Sequence, residues 1–102
     1  MVAESDWKKF RQLYFVALER FSARILDECQ TVCRDDARTA HERYGDLFGL
    51  IRDRNKLMAM IFDDPRRSEA HLSLMLMVRH GLVTENELSR FTLELQDSAR
   101  DE

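Results

Sequence analysis

From Ser5 to Tyr44 the chain contains neither glycine nor proline, and the 102 residues hold only three Gly and one Pro in all. Punctuation this sparse forces long, uninterrupted elements. Within the stretch Trp7, Phe10, Tyr14, Ala17 and Phe21 recur at steps of three and four, the period of an amphipathic helix. The stripe drifts on through Leu18, Ile25, Cys29 and Val32, as a 3.6-residue period does against a heptad. Leu13, Phe15, Val16 and Leu26 widen it, so this helix is expected to touch neighbours on more than one side. Ser5 is the expected N-cap.

The apolar signal lapses at Arg34, Asp35 and Asp36, which reads as a turn with either aspartate capping a second helix. A second stripe follows through Ala37, Ala40, Tyr44, Leu47, Ile51, Met58 and Ile61, with Arg54 in its one polar slot. Its phase passes through Gly45 and Gly49 unbroken, which predicts one helix; a break at Gly45 with Asp46 as cap is the alternative. Asp63, Asp64 and Pro65 end it, and Asp64 is placed to cap a third helix running from Pro65 to His80. Leu72, Leu74, Met75, Leu76, Met77 and Val78 make that helix apolar nearly all round, so it is expected to be the most buried, with a charge at Leu76 unfolding the chain.

Arg79, His80 and Gly81 form a helix C-terminus, with Gly81 in the left-handed position and Leu82 folding back. Thr84 and Glu87 then spell a capping box, flanked by Val83 and Leu88 as a hydrophobic staple. A fourth helix starting there carries Leu88, Phe91 and Leu95. The predicted fold is therefore all-α: one domain of about four helices, a long antiparallel hairpin followed by two shorter helices, with residues 1–4 and 98–102 frayed.

The charge balance is 16 Lys and Arg against 19 Asp and Glu, a net charge of −3. That is not the footprint of a general nucleic-acid binder. With no apolar run of membrane-spanning length and charged residues from Glu4 onward, the chain reads as cytoplasmic, without a membrane partner. Cys29 and Cys33 lie four apart on one helix face, but zinc and redox motifs use shorter spacings at turns, so both are expected as small buried hydrophobes. His41, His71 and His80 make no Glu-x-x-His set, and no phosphate-cradling or EF-hand pattern occurs. Neither a cofactor, a metal nor catalysis is expected.

Two functional expectations remain. Six Phe, one Trp and the adaptable Met58, Met60, Met75 and Met77 exceed what a thin bundle needs, which suggests a homodimer or another protein as partner, an adaptor or regulatory subunit. The expected interface is the stripe of Ala37, Ala40, Tyr44, Leu47, Ile51, Met58 and Ile61. The alternative is nucleic-acid binding through a local basic patch of Arg52, Arg54, Lys56, Arg66 and Arg67. The segment from Pro65 to Gln96 superficially resembles a helix-turn-helix, but Glu85 and Glu87 at the start of its second helix would repel phosphate.

Overall fold

The computed structural model describes residues 2–63 and 65–100. Among them are five α-helices, a single 3-10 turn and no strand, so the all-α hairpin fold is observed. Helix α1 spans Glu4–Cys33, α2 Ala40–Phe62, α3 Ala70–Arg79, α4 Glu85–Leu88 and α5 Leu93–Arg100; the 3-10 turn, Arg67–Glu69, leads into α3.

α1 begins one residue before the expected cap. Ala3 occupies the N-cap without a side-chain bond, and Glu4 and Asp6 place carboxylates in the positive first turn. α2 is capped by Thr39 rather than by an aspartate. The Thr39 hydroxyl accepts the Glu42 N–H at 3.1 Å while the Glu42 carboxylate accepts the Thr39 N–H at 2.9 Å. Asp35 is spent inside the loop, where its carboxylate accepts the Ala37 N–H. The reciprocal box satisfies two helix-end donors at once. α2 then runs through Gly45 and Gly49 without a break, although a Cβ at Gly45 would meet nothing within 4 Å, so no close neighbour explains that glycine.

The third helix starts later than the sequence suggests: Pro65 and Arg66 are extended, and α3 proper begins at Ala70. The expected cap Asp64 lies outside the described residues. At its other end the expectation holds in full. Gly81 has φ 68°, the Leu82 N–H reaches back to the Met77 carbonyl at 2.8 Å, and the Gly81 N–H reaches Val78 at 3.0 Å. This is the paired reverse bonding that closes a helix over a left-handed glycine.

The expected fourth helix is two. The Thr84–Glu87 box opens α4, but the chain tightens through Ser89–Phe91 and α5 starts at Leu93. The break is held from α1. The carboxylate of Asp6, itself buried, accepts both the Thr92 N–H at 3.0 Å and the Thr92 hydroxyl at 2.6 Å. Gln96 Nε2 donates to the Phe91 carbonyl at 2.7 Å, satisfying a group the break sets free. Residues 98–100, expected to fray, continue α5 with Ala99 buried and Arg100 bonded to Glu85 at 2.6 Å. At the other end the Val2 carbonyl accepts Arg67 Nε; residues 1, 101 and 102 lie outside the described residues.

The buried residues all gather at one end of the hairpin. Phe10, Leu13, Ala17 and Phe21 of α1 meet Ile61 and Phe62 of α2, Ala70, Leu74 and Met77 of α3, and Leu82, Leu88, Phe91, Leu95 and Ala99. Leu76, the position singled out in the sequence, is only half-buried; the deepest α3 side chains are Leu74 and Met77. Among the described residues none between Phe21 and Ile61 is fully buried. α1 and α2 therefore project from this head as a two-helix stalk, and the molecule measures 52 × 24 × 24 Å.

Candidate interaction surface

The seam of the stalk is visible in the groups that meet across it. The Tyr14 hydroxyl donates to the Phe62 carbonyl at 2.6 Å and its ring meets Phe62 edge-on at 5.5 Å between centroids. Further out Arg54 pairs with Glu28 at 2.7 Å, and at the tip Arg43 Nη1 donates to the Cys33 carbonyl at 2.6 Å. Ile25 and Val32 of α1 and Leu47 and Leu50 of α2 fill the seam half-buried. The Arg54 guanidinium holds the Glu28 carboxyl below its ordinary value.

Five exposed apolar side chains each follow a seam residue by one position. They are Phe15 after Tyr14, Leu26 after Ile25, Tyr44 after Arg43, Phe48 after Leu47 and Ile51 after Leu50, exposed by 69, 63, 68, 62 and 41%. One residue turns a helix by about 100°. In two antiparallel right-handed helices the same turn away from the seam leads to the same side of the pair. All five therefore line one flank of the hairpin.

That flank has fewer charges than the opposite one. The positions that follow Phe21, Val32 and Arg54 are Ser22, Cys33 and Asn55, and its ionised residues are Arg11 and Glu19, a turn either side of Phe15, and Arg52, a turn beyond Phe48. The opposite flank, one position before the seam, carries Arg24, Asp27, Glu42, Asp46 and Asp53. There Arg38 from the loop pairs with Asp46 at 2.6 Å and Glu42 at 3.8 Å. The head docks on the charged side: Arg20 binds Glu87 at 2.6 Å and the Leu82 carbonyl at 2.9 Å, and Arg24 binds the carbonyls of His80 and Gly81.

A scan of family models finds no match, and searches of curated proteins and of solved structures find no similar chain.

The stripe expected as an interface is distributed over four settings. Tyr44 and Ile51 lie on the apolar flank, and Leu47 lies in the seam. Met58 packs against the core and Ile61 is part of it. Ala37 stands in the loop before α2 and Ala40 is the first residue of α2, both exposed. A single stripe down α2 mixes these because α2 faces α1 along one line and the flank along the next. Phe48, Leu26 and Phe15 were not among the expected contacts; the widening of the first stripe includes Phe15 and Leu26, and Phe48 enters only through the excess of phenylalanine.

Three of the five residues of the expected basic patch are held by the fold's own acceptors. Arg54 pairs with Glu28 and Arg52 with Asp53, while Arg67 binds Glu4 at 2.7 Å and the Val2 carbonyl at 2.9 Å. Lys56 is exposed on α2. Cys29 is half-buried, but Cys33 is exposed rather than packed as a small hydrophobe, because the core ends far short of the hairpin tip. His41 and His71 are at the surface and His80 is half-buried at the α3 C-cap.

Among the described residues no group of three or more His, Cys, Asp or Glu could hold a metal ion, and no helix is long and apolar enough to cross a membrane. A groove of about 310 Å³ opens at the base of the head between Val2, Asp6, Ser68, His71 and Thr92. Both oxygens of its one buried carboxylate, Asp6, are already taken by Thr92. The groove's acid is thus a structural latch between α1 and α5.

Proposed function

We propose that the chain is a small cytoplasmic protein–protein interaction module, an adaptor or regulatory subunit that brings no chemistry of its own and acts as a homodimer. The observation that supports this is the stalk flank: three aromatic and two aliphatic side chains, largely exposed, in a lane with fewer charges than the opposite flank. Exposed apolar residues scattered singly are ordinary, but a contiguous patch marks a surface that another protein covers. Depletion of charge at the centre of a patch with enrichment of aromatics is the composition of an interface core. The hairpin supplies a second feature: two helices that cover only each other leave an open side on which a further helix pair can close a bundle. Sedimentation of the reduced protein from micromolar to millimolar concentration tests the proposal. The expected result is a mass that rises from one chain to two. A mass of one chain throughout refutes the homodimer.

A further inference from the structure

We propose that two copies of the chain pack their stalks antiparallel, flank against flank, so that four helices close over Phe15, Leu26, Tyr44, Phe48 and Ile51 and the two heads lie at opposite ends. This rests on the homodimer proposed above and specifies its surface and its symmetry.

The area of the flank matches a second copy. Aromatic side chains present about 150–250 Å² each, so three that are two-thirds exposed, with Leu26 and Ile51, offer apolar surface on the order of 500 Å². A standard interface covers about 800 Å² per partner, roughly 65% of it apolar in homodimers. A self-complementary patch of this size needs no other partner, and a two-fold axis pairs it with itself.

Direction follows from the order of residues along the flank. Phe15 marks its head end, beside the contact of Tyr14 with Phe62, and Tyr44 its tip end, beside the contact of Arg43 with Cys33. Leu26 and Ile51 lie between. Antiparallel stalks bring Phe15 of one copy level with Tyr44 of the other at both ends, with the aliphatic residues meeting near the axis. Parallel stalks would instead crowd Tyr44 and Phe48 of both copies at the tip and leave only the two Phe15 rings at the head end. The antiparallel arrangement spreads the aromatic rings over both ends. The head is no obstacle, because its bonds to Arg20 and Arg24 hold it on the other side of α1.

Two substitutions and one distance test this. Phe48→Glu alters an exposed residue, so the variant folds, and its helical circular dichroism checks that it does. The dimer constant from sedimentation should weaken at least 30-fold, the range of a central aromatic anchor. Met60→Glu, equally exposed but off the flank, should change it less than about threefold. In a Cys29→Ser, Cys33→Ser background, a spin label at Asp36→Cys in the tip loop reports direction. The stretch from residue 15 to residue 33 of α1 spans about 27 Å, so antiparallel stalks hold the labels beyond about 25 Å. Parallel stalks would bring them within roughly 15 Å, given helix spacings of 8–10 Å. A dimer that Phe48→Glu leaves intact overturns this surface while the homodimer stands, and a short label distance overturns the antiparallel pairing. A wild-type chain that stays monomeric to millimolar concentration overturns both proposals.

Discussion

Glu87→Gln should remove a defined part of the acid sensitivity of this fold. The Glu87 carboxylate accepts Arg20 Nη1 at 2.6 Å and Nη2 at 3.0 Å, and it closes the capping box by accepting the Thr84 N–H at 2.9 Å. The bonds from Arg20 are the largest cause that holds this carboxyl down to about 2, against an ordinary 4.5. A carboxyl whose pKa falls on folding adds stability above its unfolded value and loses it as pH drops toward the folded one. The window here runs from about pH 4.5 to about pH 2. At about 1.4 kcal/mol per tenfold, linkage sets a ceiling near 3 kcal/mol. The Arg20 side chain is 37% exposed and that of Glu87 16%, so solvent screening brings the expected contribution to about 1–2 kcal/mol. Glutamine keeps an oxygen for the Thr84 N–H, and the box tolerates it, so the substitution isolates the charge. Urea unfolding followed by helical circular dichroism, from about pH 7 down to about pH 2.5, measures the difference. The variant should be less stable by about 1–2 kcal/mol at neutral pH and should converge on wild type at the acid end. Glu28 and Glu42, whose carboxyls are also lowered, titrate in both proteins and cancel. Curves that stay parallel across the whole range would refute the assignment.

Two further perturbations probe the head. Leu74→Ala should cost about 2–5 kcal/mol, as a buried leucine truncated in a packed core does, whereas Leu72→Ala two residues earlier, at a position 42% exposed, should cost less than about 1 kcal/mol; equal losses in urea unfolding would show that α3 is not seated as described. Asp6→Asn exchanges an acceptor of two bonds for an amide that can accept only one of them, so it should cost about 2 kcal/mol and speed hydrogen exchange throughout α5 more than in α3. Unchanged α5 protection would argue against the latch.

How much was legible depended on whether the signal was local. The closing turn at Gly81 and the box at Thr84 and Glu87 are each written within a few residues, and both form as read. The Thr39 and Glu42 box has the same pattern and is as local, with two aspartates beside it that compete as caps. The interface stripe fared differently. Periodicity reports that a face of α2 is apolar, but Ile61, Leu47 and Tyr44, which share that period, end up in the core, in the seam and in the open respectively. What separates them is distance along the stalk from the head, and helical period carries no information on it.

Local signals suffice to make the chain helical, to set where the hairpin turns and to end α3, because sparse Gly and Pro, apolar period and caps act over a few residues. Tertiary structure alone decided two things. It split the last helix, since the Asp6 carboxylate that holds Thr92 comes from the far end of the chain, and no local pattern announces a partner 86 residues away. It also placed the head on one flank of the hairpin, through Arg20 and Arg24, and so left the other flank apolar and open. Burial is a property of where three helices come to rest against two others, and every residue of the chain takes part in choosing it.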